Sequence, residues 1–323
     1  YIRRGLKSKK LAAFFSIAVI IALGFIGCMV QANSISIGLT SAFGMKDWTS
    51  GLLIAGLVAI VIVGGQKRVT TIAELVVPFM ALAYIVGAII ILFMYSEQIL
   101  PVFESIFGDA FSTKAAAGGA AGSVMKYAIR YGVSRGLFSN EAGMGSTPHA
   151  HAAANVKHPV DQAVLGIMGV FVDTFIVLNI TVFVVLSTDV VTFENGKAVF
   201  SGISLVQEAF GSQILGRSGG YGFVAICLFF FAFTTILGWY YFAEINVRYL
   251  LGAKFVKLLQ ILVVAFVFIG SVQKIDLVWG LADMFNGLMV IPNLIAIILL
   301  SPVVVRLLSD FNDGKSYDAN DYK

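Results

Sequence analysis

From Leu11 to Leu39 the chain carries no charged side chain. A helix needs about 20 apolar residues to cross the hydrocarbon core of a bilayer, so this run is long enough to span one. It is the first of eight. The others are predicted over Thr49–Gly65, Val69–Tyr95, Gly122–Ala154, Val160–Leu186, Tyr221–Ala243, Phe255–Val272 and Leu277–Leu307. The runs are continuous rather than alternating, which selects helices over the strands of a membrane barrel. The third holds Glu74 and Pro78, and Pro292 divides the last. Halves of about 15 residues would each be too short to cross, so the last run is read as one kinked or tilted helix.

Composition agrees. Only 12% of residues are charged and the mean hydropathy is +0.91. Soluble domains carry about 25% charged residues, so a soluble fold is excluded. Cys28 and Cys227 both fall inside apolar runs and read as small buried residues rather than a disulfide framework. The net charge of +4 bears on orientation, not on nucleic acid. Eight spans put both ends on one side, the side that holds Arg3, Arg4, Lys7, Lys9, Lys10, Lys67, Arg68, Lys157, Arg248 and Arg306, among others. The opposite side has fewer, including Lys46, Lys126 and Lys274. The positive-inside bias therefore predicts cytoplasmic termini. On the other side, "EQILPVFESIFGDAFSTKAAAGG" and "FENGKAVFSGISLVQEAFGSQILGRSGG" read either as short amphipathic helices or as plain connectors.

Polar groups inside a membrane need partners or a wet cavity, so their positions point to function. Gln31, Asn33 and Ser34 lie in the first span. Gln31 offers donor and acceptor together, for a zwitterionic ligand or for a neighbouring helix. Thr234 and Thr235 are adjacent hydroxyls in the sixth span. They either bond back to their own helix or ligate a hard cation together with a carbonyl such as that of Phe231. Trp239 lies one turn beyond Thr235 on the same face and can wall a pocket. In the last span Asp283 and Asn286 share a face, with Asn293 beyond Pro292; they serve a gate or packing.

The fourth span is the least helical. "GLFSNEAGMGSTPHAHAAA" holds Gly136, Gly143, Gly145 and Pro148, which weaken a helix, around Asn140 and Glu141. Broken backbone at membrane depth is tolerated where it lines a cavity or is buried in protein, and transporters place ion and substrate sites at such breaks. "GMG" is not a phosphate loop, since no strand precedes it and no Gly-Lys-Ser follows. His149 and His151 are two residues apart and point different ways on a helix, and only His158 is added to them, so a metal site is not expected. No nucleophile, base and orienter combine, so the chain is not read as an enzyme.

"RGLFSNEAGMGSTPHAHAAA" closely resembles the signature of the alanine/glycine:cation symporter family of bacterial and archaeal amino-acid transporters. "YIRRGL", "QANSIS", "VVPFMALAYI", "AFTTILGWYYFAE" and "PNLIAIILLS" agree in order, so the resemblance covers the whole chain. It implies an all-α integral membrane protein with the inverted-repeat, broken-helix (LeuT-like) fold of the amino acid–polyamine–cation superfamily. Such proteins have an extra first helix and then ten core helices in two inverted repeats of five. By the resemblance the eight spans are core helices three to ten. Residues 1–119 then form an incomplete first repeat, 120–307 a complete second repeat and 308–323 a cytoplasmic tail. The chain is accordingly expected to be an N-terminally truncated member that lacks the first two core helices, with transport a property of the longer parent.

The resemblance also implies roles. Gln31, Phe138, Thr235 and Trp239 would contact the amino acid. Thr234 and Thr235, with the Phe231 carbonyl, would bind sodium. Gly136, Asn140, Glu141, Gly143 and Gly145 would form the helix break. The pair at 234 and 235 is Thr-Thr where the family often has Ser-Thr, and both forms keep the hydroxyl. The implied activity is Na⁺-driven symport of alanine or glycine, with D-alanine a further candidate, in a prokaryotic cell membrane, without a cofactor. Coupling to protons, or amino-acid sensing without transport, are the alternatives.

Overall fold

The computed structural model describes residues 1–110, 120–194, 197–211 and 216–318, with the side chains of residues 66, 109–110, 120–125 and 197 outside that description. The described elements are α1 (Lys9–Phe43), α2 (Asp47–Val63), α3 (Gln66–Met94), α4 (Ser96–Ala110) and α5 (Ala120–Asn140). They continue with α6 (Pro159–Ser187), α7 (Ile203–Gly211), α8 (Gly216–Leu250), α9 (Val256–Ser271) and α10 (Ile275–Asn312). Single helical turns, Ile2–Gly5 and Pro148–His151, and the hairpin β1 (Phe193–Glu194) with β2 (Lys197–Ala198) complete the main elements.

Six of these stretches are long and apolar enough to cross a membrane: α1, α3, α6, α8, α10 and Ala253–Ser271, which contains α9. At 17 residues α2 is shorter. The protein is a multi-pass membrane protein. Its outward face agrees, since Phe93 is 82% exposed and Phe79 71% exposed on α3, a surface suited to lipid rather than water.

Helix ends follow local chemistry. The Ser8 side chain accepts from Leu11 N and caps α1. A capping box of His158 and Asp161, with Pro159 in the first turn, starts α6. As predicted, Pro292 does not divide α10, which runs unbroken for 38 residues. At 1.5 Å per residue that is about 57 Å, well beyond a bilayer core of about 30 Å, so α10 tilts or projects. Two π-helical segments interrupt long helices, Ile20–Gly27 in α1 and Val172–Val177 in α6. Neither was predicted, because an apolar run looks the same at either period.

The main core joins α1, α2, α8 and α9, with Phe15, Leu23, Ile54, Trp239, Tyr240 and Val263 among its buried members. A second cluster joins α3, α6, α7 and α8 around Tyr84, Val184 and Phe210. The helices α1 and α8 run antiparallel in close register. A Cβ on Gly24 would meet Ala243, one on Gly27 would meet Trp239, and one on Gly38 would lie near Leu228 and Ala225. Small residues let these backbones approach.

The two segments read as amphipathic helices or connectors resolve differently. The first forms α4, with residues 111–119 outside the described residues. The second forms the hairpin and then α7, whose buried Gln207 donates to the Gly38 carbonyl at 2.9 Å. The last part of that segment, 212–215, is likewise outside the described residues.

Candidate functional site at the helix break

Helix α5 ends at Asn140, and the next seven residues do not form helix. Glu141 takes φ +55°, Gly143 φ +89° and Gly145 φ +84°. L-residues enter this left-handed region at a cost of about 1–2 kcal/mol, which is why glycine fills two of the three positions. At Gly145 space also forbids a side chain, since a Cβ would sit 2.7 Å from Asn293 and 2.9 Å from Phe15. A turn, Pro148–His151, resumes the chain, with Pro148 at its first position.

Side chains hold this break from several directions. Asn140 Oδ1 accepts from Ala142 N at 3.0 Å, and Asn140 Nδ2 donates to Thr174 of α6 at 3.1 Å. Asn293 of α10 donates to the Gly143 carbonyl at 2.7 Å. Ser139 donates to both carboxylate oxygens of Asp173, at 3.0 and 2.9 Å. Trp239 of α8 donates its indole N–H to Glu141 Oε1 at 2.5 Å, and Ser146 donates its hydroxyl to Glu141 Oε2. His149 is fixed at both ring nitrogens. Nδ1 lies 2.7 Å from the Ser146 carbonyl and Nε2 2.8 Å from Asn246 Nδ2. The amide of Asn246 can only donate and the carbonyl only accept, so His149 is neutral with its proton on Nδ1.

Above the break stands an aromatic wall. Phe138 meets Trp239 edge to face at 5.3 Å and Trp279 at 4.9 Å. The Arg135 guanidinium lies 4.0 Å over the Trp279 ring and donates to both oxygens of Asp283, at 2.5 and 3.3 Å. Between α5 and α10 lies a cleft of about 430 Å³ lined in part by Phe138, Met144, Asp283 and Asn286. The Asn286 Oδ1 faces no donor among the described residues.

Of the residues singled out in the sequence, Phe138, Glu141, Gly143, Gly145 and Trp239 come together here. Asn140 closes the helix beside them. Gly136 does not join the break: it lies inside α5, one turn before the end. Gln31 is half-buried on α1, one turn beyond Gly27 and Cys28, which meet Trp239 and the Ile236 carbonyl. The antiparallel register places it level with residues 232–235 of α8. Asn33 is helix glue, donating to the carbonyls of Gly270 and Gln273 at 3.0 and 2.8 Å, and Ser34 bonds back to Val30.

The two threonines bond back to their own helix. Thr234 donates to the carbonyls of Phe230 and Phe231 at 2.9 and 3.0 Å, and Thr235 to that of Phe231 at 2.8 Å. The Phe231 oxygen thus serves two hydroxyls, while each hydroxyl oxygen keeps its lone pairs. Sequence reasoning missed the Arg135–Asp283 pair, Trp279, Ser146 and Asn246. Arg135 and Asp283 each carried a signal, as charged residues within predicted spans, but nothing in the sequence joined them.

Six apolar spans with polar side chains gathered on a broken segment are the build of an integral membrane transporter. The chain belongs to the sodium:alanine symporter family, whose family model matches residues 1–323. It is 41% identical over 294 residues to the sodium/alanine symporter AgcS of Methanococcus maripaludis, covering 91% of this chain and 63% of that protein. To a Bacillus subtilis protein named "Probable sodium/glutamine symporter GlnT" it is 38% identical, over 98% of this chain and 64% of the relative. To the sodium/proton-dependent alanine carrier protein of Bacillus sp. PS3 it is 35% identical, over 96% and 70%. The chain therefore spans about two thirds of the length of the curated relatives it matches.

Proposed function

We propose that the whole protein is a secondary active symporter that couples a Na⁺ gradient to uptake of a small neutral amino acid, alanine or glycine. The observation that carries this reading is the break at Glu141–Gly145, held against Trp239 of the span-length helix α8. Unwound backbone there frees amide and carbonyl groups for a zwitterion, as transporter folds with inverted repeats use them. In this reading the fold is LeuT-like and the eight spans are core helices three to ten, with α2 and the α5 break counted among them. Residues 120–307 form one repeat and residues before 120 belong to the other. Both termini face the cytoplasm.

Phe138 and Trp239 wall the amino acid side chain and leave room only for a small one. That favours alanine over glutamine, although one relative's name carries glutamine. Gln31 makes no hydrogen bond among the described residues, which leaves its amide for the substrate. Sodium sits on the hydroxyl oxygens of Thr234 and Thr235, which release their helical bonds or use their remaining lone pairs. The Arg135–Asp283 pair, with Trp279, closes the face of the site away from Pro148. Since one relative's name includes protons, coupling to protons is the second reading.

The test is uptake of labelled alanine by the whole protein in liposomes with Na⁺, K⁺ or choline outside. Alanine uptake should require Na⁺ and be competed by glycine and D-alanine more than by glutamine. Equal uptake in choline would defeat sodium coupling. Thr235→Ala should raise the Na⁺ concentration for half-maximal uptake about tenfold, the effect of losing about 1.4 kcal/mol of ion binding. An unchanged sodium dependence would remove Thr235 from the ion site.

A further inference from the structure

We propose that Glu141 is a proton-binding site, occupied and emptied in step with its contact to Trp239. The inference deepens the transport reading above and rests on it for its role in coupling. Glu141 is half-buried, and its carboxyl is held between the Trp239 indole and the Ser146 hydroxyl. Its two oxygens face one indole N–H and one hydroxyl, both neutral donors. Hydrogen bonds of that kind orient a carboxylate without cancelling its charge, and an uncompensated charge at such a place is costly.

Among the described side chains no cation pairs with it, and the Tyr1 amino group lies on the far side of His149. On α5 Arg135 is committed to Asp283 of α10. On α8 the buried Glu244 pairs with Arg248. On α6 Asp173 takes the Ser139 hydroxyl, and across the turn His149 is held neutral by its two partners. Helix α1 has no charged side chain between Lys10 and Lys46. A proton is the smallest ligand that removes the charge without displacing any of these groups.

The two partners of the carboxyl are unequal. A serine hydroxyl can donate or accept, so the Ser146 contact survives protonation of Oε2 with its direction reversed. An indole N–H only donates, so Trp239 holds Oε1 more firmly when the group is ionised. Proton binding therefore loosens the grip of Glu141 on Trp239, the wall that also faces Phe138. The proton comes from water and returns to it, and only an O–H bond forms or breaks. The carboxyl bonds Ser146, whose carbonyl bonds His149, and His149 and Asn246 help to line a cavity of about 460 Å³ on the Pro148 side, the exchange route in this reading.

The experiment is infrared difference spectroscopy of the whole protein in liposomes between alkaline and acid buffer. A protonated-carboxyl C=O stretch should appear on acidification, vanish in Glu141→Gln, and shift in Trp239→Phe, which keeps the ring and loses the donor. Spectra of wild type and Glu141→Gln that match in this region would overturn the proposal. Should Glu141→Gln not fold, the Trp239→Phe spectrum decides: an unshifted band means the carboxyl is not the one described. A carboxylate stretch that moves on adding Na⁺ at fixed pH, with no C=O band at any pH, would assign the group to a metal cation and sink the proton site. Alanine uptake is measured on the same vesicles. A Glu141 band without uptake sinks the transport reading alone, and uptake without the band sinks the proton site alone.

Discussion

Gly145 shows how little freedom a single position has in this break. Its φ of +84° disfavours any L-residue, and its missing side chain admits Asn293 and Phe15. Asn293 in turn holds the Gly143 carbonyl. Gly145→Ala should lose about 2 kcal/mol or more, from the left-handed backbone and the clash together. Thermal unfolding in detergent would show this as a lower midpoint. An unchanged midpoint would mean that the turn relaxes without cost. Gly136→Ala is the control. It lies inside α5 with no atom within 4 Å of an added Cβ, so alanine there should be neutral or mildly stabilising. The glycines and Pro148 were legible in sequence as a weak helix, but which glycine belonged to the break was not. Composition marks a region of weak helix, whereas positive φ is set residue by residue through contacts with α8 and α10.

Among elements, most of the apolar helices were legible to within a few residues, because apolar runs of span length leave few alternatives. The fourth run, however, was read through to Ala154 where α5 ends at Asn140, and α8 extends to Gly216 and Leu250 beyond the run read as Tyr221–Ala243. The pairings of the helices were not legible. Glu141 and Trp239 are 98 residues apart, and Arg135 and Asp283 are 148 apart. Neither hydrophobic period nor spacing connects such positions. The Arg135–Asp283 contact joins α5 to α10 through two hydrogen bonds and a stacked Trp279. A double-mutant cycle of Arg135→Ala and Asp283→Ala on thermal stability should give a coupling of about 1 kcal/mol, since both groups are only partly shielded from solvent. Additive effects would show that the two helices are held by Trp279 and Phe138 without the ion pair. If the pair closes one face of the site, both single variants should also speed escape of bound alanine, measured by exchange of label.

At the scale of the whole molecule, eight crossings imply an even parity that six clearly apolar spans and the shorter α2 do not impose by themselves. Parity depends on α5, which at 21 residues is long enough to cross but is not among the six clearly apolar spans. Cysteines placed singly at Ser8 and at Asp313, in a background without Cys28 and Cys227, report it directly. Both should react with a membrane-impermeant thiol reagent from the same side of a sealed vesicle. Labelling from opposite sides would leave α5 as a re-entrant segment and reverse the orientation of everything after it.

The π-helical segment Ile20–Gly27 acts as a phase shifter within α1. A π turn takes in about one residue more than an α turn, so the remainder of α1 is rotated by about 100° against an unbroken helix. Before the shift, α1 turns Phe15 toward the ring of His149. After it, Asn33 reaches the end of α9. One rod thus serves two partners that lie in different directions. Deleting one residue from Ile20–Gly27 would leave hydropathy and length almost untouched yet turn Gln31 and Asn33 onto the wrong side. The expected result is a protein that still inserts but melts earlier and has lost alanine binding, whereas the same deletion in the evenly α-helical α9 should cost stability without re-aiming Gln31. A length change is tolerated in a spacer and not in a phase shifter, and α1 is the latter.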